Sequence, residues 1–162
     1  MTGGRAVTDV VMEEIRKAQE LNVAGDKPGA RAVLERLWGT TEDSLHRCTI
    51  AHYLADLQDS VEDELRWDEL ALAAFPDLTD ERTRAFDDSW RARAFLPSLH
   101  LNLADVHRRA GHEKEARHFL SEATGALDEL PADDYGAMIR DALNKVREAI
   151  EVGSTAPLVP TT

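Results

Sequence analysis

Apolar and small residues recur at helical spacing along most of the chain, and the clearest example is residues 101–123. Two predicted helices in this stretch each carry such residues on one face: Leu103, Ala104 and His107, then Ala116, Leu120 and Ala123. Gly111 lies between them, where a residue without Cβ adopts positive φ at little cost just past a helix C-terminus. The pattern therefore predicts two antiparallel helices in which Ala104 faces Ala116.

The same pattern appears near the start of the chain and predicts a first hairpin over about 9–38. Its helices carry small and apolar residues on one face: Ala18 and Leu21, then Ala30, Leu34 and Leu37. The interval from Gly25 to Gly111 equals the interval from Ala30 to Ala116. Because chance would not keep turn and packing positions in step, we infer an internal repeat.

A second hairpin is predicted over about 43–75, and it departs from the pattern at two positions. Its helices carry the apolar residues Leu45, Ile50, Leu54 and Leu57, then Val61, Leu65, Trp67, Leu70, Ala71 and Ala74. Gln58 and Asp59 replace the glycine of the turn. An acidic residue stands where the other hairpins have Ala30 and Ala116. This is the most degenerate of the three hairpins.

Residues 78–95 have no counterpart in the other hairpins. We interpret them as an extension of the first helix of a third hairpin, so that this helix runs from about 80 to 110. It then bends at Pro97, because an interior proline removes one backbone hydrogen bond. The alternative is two separate helices that meet at Phe95. With its second helix, the third hairpin spans about 80–130.

A final helix is predicted over about 134–152, and its apolar residues all lie on one face. Such a helix covers the apolar side of the last hairpin in a repeat stack. Residues 9–152 therefore read as a single domain, preceded by a disordered lead over 1–8 and followed by a flexible tail over 153–162. Polar residues that accept backbone N–H groups are the predicted helix N-caps: Thr8, Asp26, Ser60, Thr79, and Asp133 or Asp134.

These paired helices with small residues at the seam resemble the tetratricopeptide repeat (TPR) family, whose units are helix–turn–helix pairs of about 34 residues. The resemblance covers most of residues 9–130. It implies an all-α fold, namely a right-handed stack of antiparallel hairpins with about seven helices and a C-terminal capping helix. It also implies a non-catalytic adaptor or scaffold that binds a protein or peptide, since this family commonly serves protein–protein interaction.

In such stacks the first helix of each hairpin lines a concave surface, and the family pattern assigns candidate partner-binding residues to it. They are Arg16, Gln19, Thr49, His52, Asp56, Asn102, Asp105 and Arg109. Ile15, Cys48 and Leu101 supply an apolar floor between them. The alternative is that these positions are merely solvated helix faces. Of the clamp with which one subset of the family binds acidic C-terminal tails, only Asn102 is present, so we expect no such binding.

Charge adds a second feature, because the net charge of −12 is unevenly distributed. Residues 41–80 carry eleven acidic and two basic side chains. Such acidity disfavours nucleic-acid binding, which needs basic groups to displace counterions. The acidic segment is either a solvated helix face or a docking surface for a basic partner. With no long apolar run and a single cysteine, we expect no membrane insertion and a cytoplasmic location.

The catalytic and metal motifs that we sought are missing from the sequence, so we expect no enzyme activity, no metal and no cofactor. His107 occupies a packing position, and Cys48 reads as a buried small residue. The competing hypothesis is a small-molecule-binding or enzymatic domain with a polar pocket around His52, Asp56, His100 and Asp105.

Four arginines lie near Phe86 and Trp90 and form a second candidate surface: Arg82, Arg84, Arg91 and Arg93. Arginine beside exposed aromatic residues is typical of protein interfaces. The alternative is intramolecular, with the aromatic residues packed on the helix over about 61–75 and the arginines paired with its acidic residues. Self-association through this segment or through the final helix would make the protein a homo-oligomer.

Overall fold

The computed structural model describes residues 9–87 and 90–158, and the described chain is all-α, with eight α-helices and no strand. The helices are α1 (Val10–Val23), α2 (Lys27–Trp38), α3 (Ser44–Asp56), α4 (Val61–Ala74), α5 (Asp80–Phe86), α6 (Leu96–Arg109), α7 (Glu113–Gly125) and α8 (Asp134–Glu151). The lead predicted over 1–8 lies outside the described residues. None of these helices has both the length and the apolar character needed to cross a bilayer.

Side-chain caps fix where the helices begin. Asp26, Ser60, Thr79 and Asp133 each accept a hydrogen bond from a backbone N–H of the first turn, which confirms these four predicted N-caps. The prediction for α1 is wrong by one residue. Asp9, rather than Thr8, caps α1 through a 3.0 Å hydrogen bond from the backbone N of Met12.

Three pairs of consecutive helices pack as hairpins: α1 with α2, α3 with α4, and α6 with α7. Gly25 and Gly111 make the first and last of these turns with φ of 95° and 82°, as predicted. The middle turn has no glycine. There the side chain of Gln58 donates to the carbonyl of Leu54, and Arg31 of α2 donates to the carbonyl of Leu57 at 2.7 Å. The carbonyl of Leu54 also accepts from the backbone N of Leu57 at 3.1 Å, so these side chains add hydrogen bonds where α3 ends.

Successive hairpins also pack against each other. α3 contacts both helices of the first hairpin, α4 contacts α6, and α8 contacts both α6 and α7. The apolar core follows this order, with one cluster around Leu34, Leu45 and Leu54 and another around Ala104, Ala116 and Leu143. Cys48 and Leu99 belong to a third cluster, which joins α3 and α4 to α6.

The long helix predicted from about 80 to 110 is wrong. α5 ends at Phe86, a 3₁₀ turn covers Ala92–Phe95, and α6 starts afresh at Leu96. Pro97 therefore sits in the first turn of α6, where its missing N–H would have no helical partner in any case. The helix count rises from about seven to eight for this reason.

The C-terminal tail does not extend freely over residues 153–158. Nη1 of Arg108 donates to the carbonyls of Ser154 and Ala156, both at 2.8 Å, and Leu158 packs against the core of the last hairpin. Arg108 is 4% exposed, so the tail covers this guanidinium on α6. The flexible tail predicted over 153–162 is therefore wrong for these residues, and its last four lie outside the described chain.

Candidate functional site

Half-buried polar side chains of α3 and α6 meet between the two helices. Nδ2 of Asn102 lies 3.1 Å from Nδ1 of His52 and links the helices directly. Cys48 and Leu101, the residues predicted for the apolar floor on these two helices, are both buried. We call this surface the α3–α6 groove and define it by its polar residues, which are His52, Asp56, Asn102 and Asp105.

His52 presents one hydrogen-bond donor in this groove. Burial lowers the pKa of His52 to about 4, so its imidazole is neutral at physiological pH. The amide nitrogen of Asn102 can only donate, and Nδ1 of His52 is therefore the acceptor of their hydrogen bond. The ring proton then resides on Nε2. The pair leaves this N–H and the side-chain carbonyl of Asn102 to meet a ligand.

Asp56 is an exposed carboxyl of the groove with a raised pKa. Desolvation by the surrounding protein raises the pKa of Asp56 to about 6, against a partial lowering by Arg109. Burial also raises the pKa of Tyr53, with further increases from Tyr135 of α8 and from Asp56.

Arg109 joins α6 to α4 at one end of the groove. Its Nε donates to Oδ2 of Asp105 at 2.9 Å, and its Nη2 bonds the carboxylate of Glu64. Oδ1 of Asp105 accepts in turn from Arg108, which holds the C-terminal tail. Asp105 is therefore paired with two arginines of its own helix, and Arg109 also links α6 to α4, which leaves both less free to bind a partner.

Asp68 of α4 is the unusual residue of the site. It is 4% exposed and forms no hydrogen bond or ion pair within the described part of the chain, but its oxygens keep a little contact with solvent, because they are not among the buried polar atoms that lack a partner. Burial and the charges of Asp56, Glu64 and Asp105 together raise the pKa of Asp68 to about 8, against an opposing effect of Arg109. A buried carboxylate without a partner is rare, since burying a charge without compensation is strongly unfavourable.

Three predicted groove residues do not join this cluster. Thr49 is 8% exposed, and its hydroxyl donates to the carbonyl of Leu45 at 2.7 Å within α3. The hydroxyl of Thr49 is therefore buried and already bonded within its own helix. Arg16 is exposed on α1 and bonded to Glu13 and Glu20 of the same helix. Gln19 is half-buried on α1.

His100 is also separate from the pocket predicted to contain His52, Asp56, His100 and Asp105. It stacks on Phe119 of α7, with ring centroids 6.0 Å apart. In a helix that turns by about 100° per residue, position 100 faces away from positions 102 and 105. His107 shares the face of His100 and is packed on the same phenyl ring. Among the described residues, no three histidine, cysteine or acidic side chains come together as metal ligands.

The second candidate surface is largely occupied within the chain. Arg82 bonds Asp43 at 2.7 Å and Asp9 at 3.0 Å, and Nε2 of His46 lies 2.8 Å from Oδ2 of Asp9. Burial alone would raise the pKa of Asp9, but hydrogen bonds that include those of His46 and Arg82 lower it. This network ties α5 to the starts of α1 and α3, so Arg82 is unavailable to a partner.

The other arginines of that surface differ from one another. Arg84, Arg91 and Arg93 are all exposed, and Arg93 pairs with Glu129 at 3.0 Å. Trp90 meets both Phe86 and Phe95 edge to face, and all three rings pack against the core of the first hairpins. The intramolecular interpretation is thus supported for these aromatic residues, but Arg82 and Arg93 pair with acidic residues outside α4.

The sequence interpretation missed Tyr53, Glu64, Asp68 and Tyr135 as site residues. A signal for Glu64 was present, because it lies five residues after Asp59 in the turn, as Ala30 lies five after Gly25. An acidic residue at a position that packs a small side chain elsewhere indicates a special local environment. Asp68 follows four residues later, on the same face of α4.

No protein-family model, curated protein or solved structure matches this chain. The function proposed below therefore rests on the geometry of the site alone.

Proposed function

We propose that this protein is a non-catalytic interaction module that binds an extended peptide segment of a partner protein in the α3–α6 groove. We further propose that its hairpins form a TPR-like stack, in which α3, α6 and α8 line the concave side. The observation that carries the proposal is the row of polar side chains that α3 and α6 present together, in which Asn102 lies 3.1 Å from His52 and Asp56 is exposed one turn further along α3.

The groove contains the groups that an extended peptide needs. His52 supplies an N–H donor, while Asp56 and Asn102 supply acceptors, and buried Cys48 and Leu101 provide the floor. A peptide backbone carries one donor and one acceptor per residue, so a row of mixed polar groups over an apolar base can hold it.

α8 supplies an apolar wall for the same groove. Tyr135 and Met138 lie one helical turn apart on α8 and are 44% and 58% exposed. Exposed aromatic and methionine side chains are typical of protein-binding surfaces. Because Tyr135 lies near Tyr53, this wall faces the polar side chains of α3.

The test is selection of binding peptides from a displayed random library, followed by affinity measurement on variants. His52→Ala combined with Asn102→Ala removes the polar link between α3 and α6. The matched control combines His118→Ala with Asn144→Ala, which alters the same residue types at exposed positions on α7 and α8.

Selected peptides should bind the wild type and the control with the same affinity. Their affinity for the groove variant should be at least about tenfold lower, which corresponds to about 1.4 kcal/mol. Selected peptides that bind all three proteins equally would place the binding surface elsewhere. Failure to select any peptide would contradict the proposed function.

A further inference from the structure

Of the four carboxylates at the site, two are bonded to arginine and two form no ion pair among the described residues. Glu64 and Asp105 are both bonded to Arg109, and Asp105 is also bonded to Arg108. Asp56 and Asp68 form no ion pair with the described part of the chain. The charge of Arg109 acts on both from a longer distance and opposes the rise of their pKa values. The local balance of charge is therefore negative, in the segment that holds most of the net acidity of the protein.

Asp68 differs from an ordinary surface acid because it is 4% exposed and has no hydrogen bond from the described residues. It lies one turn after Glu64, on the face of α4 that packs toward α6. Hydrophobic packing would be more favourable at such a place, where a buried carboxylate without a partner destabilises the fold. The presence of a carboxylate at this position is explained if a positively charged group from outside the chain pairs with it.

We propose that the α3–α6 groove recognises a peptide through one lysine or arginine side chain, whose cation binds between Asp56 and Asp68. This inference rests on the proposed function and names the feature of the peptide that the groove selects. Asp56 is the exposed entrance, and Asp68 is the buried end that the long alkyl stem of lysine or arginine can reach. A basic side chain also complements the negative charge of residues 41–80.

The groups around Asp68 allow the chemistry of binding to be stated. They are Asp56 of α3, Glu64 of α4, and Asp105 and Arg109 of α6. Burial holds Asp68 largely protonated at neutral pH. A bound cation favours the carboxylate, so binding releases the proton of Asp68 to solvent. His52 stays neutral throughout this range and contributes no proton.

The experiment uses peptides selected on the full chain and measures their affinity and proton release by titration calorimetry near pH 7, in buffers of different ionisation enthalpy. Asp68→Asn and Asp56→Asn are the site variants. Glu62→Gln combined with Glu69→Gln is the control, because both side chains are exposed on α4 and the double variant loses more charge than either site variant. Each peptide is also made with its basic residue replaced by norleucine.

The expected result is a shared lysine or arginine among the selected peptides, and a loss of at least about tenfold in affinity when it becomes norleucine. Either site variant should lose a similar factor, while the control changes affinity by no more than about twofold. Proton release should occur with the wild type and disappear with Asp68→Asn. Circular dichroism verifies that both site variants remain folded, and Asp56→Asn tests the exposed end of the site independently of Asp68.

Groove-binding peptides that lack a common basic residue, or that bind both site variants as tightly as the wild type, would overturn this inference and leave the proposed function intact. A loss of affinity in the control equal to that in the site variants would also overturn it, because general acidity would then explain binding. Failure to select any groove-binding peptide would overturn the proposed function and, with it, this inference.

Discussion

Replacing Asp68 with asparagine should make the protein more stable, by an amount that grows with pH. Asp68 is 4% exposed, and burial raises the pKa of its carboxyl from 3.8 to about 8. The folded state therefore holds a proton that the unfolded state releases above its own pKa. The free energy of unfolding falls as pH rises from about 4 to about 8, because deprotonation favours the unfolded chain.

The size of the effect follows from the pKa difference. Each pKa unit corresponds to about 1.4 kcal/mol, so Asp68 contributes a loss of about 3 kcal/mol between pH 5 and pH 7. Asparagine has a similar shape and does not ionise. The difference in unfolding free energy between Asp68→Asn and the wild type should therefore increase by about this amount across that interval. This is a large part of the stability of an ordinary domain.

The assay is urea denaturation followed by circular dichroism at several pH values between about 5 and 8. Glu69→Gln serves as the control, because Glu69 is exposed on the same helix and its difference from the wild type should stay nearly constant. A difference between Asp68→Asn and the wild type that does not change with pH would refute the reasoning. It would mean that the Asp68 carboxyl ionises normally in the folded protein.

Other regions give further predictions. Arg82→Ala should lower the unfolding free energy by about 1–3 kcal/mol in urea denaturation, because Asp9 and Asp43 then lose their arginine partner. Arg84→Ala, at an exposed position, should change it by less than about 0.5 kcal/mol. Gly111→Ala should cost about 1 kcal/mol because its φ is 82°, while Gly125→Ala, where an added Cβ meets open space, should stabilise slightly in the same assay. Cys48 is 1% exposed, and burial raises the pKa of its thiol to about 12. A thiol reagent should therefore react with it only after denaturation, and rapid labelling of the native protein would contradict this.

Helical periodicity and turn chemistry were sufficient to predict the all-α fold. Gly25 and Gly111 were identified because positive φ strongly favours glycine, and four N-caps because few side chains accept those backbone N–H groups. Pro97 was misjudged for a physical reason. Its effect depends on whether it lies inside a helix or in its first turn, and the helical spacing of Phe86, Trp90 and Ala94 before it favoured one continuous helix.

The site was only partly predictable. The resemblance to the repeat family assigned His52, Asp56 and Asn102 to one surface, and His52 and Asn102 do lie 3.1 Å apart. Neither the resemblance nor periodicity can show whether a side chain such as Thr49 bonds its own helix. Asp68 was hidden for a different reason. Its burial depends on how α4 packs against α6, a contact between residues far apart in the chain, and an acidic residue is normally expected in solvent.

Binding of a partner peptide in the α3–α6 groove is tested most directly by a map of amide chemical shifts in the labelled protein as a selected peptide is added. The largest changes should occur around His52, Asp56 and Asn102, with smaller ones near Tyr135. Changes concentrated on α2 or on the exposed face of α7, with α3 and α6 unaffected, would contradict it.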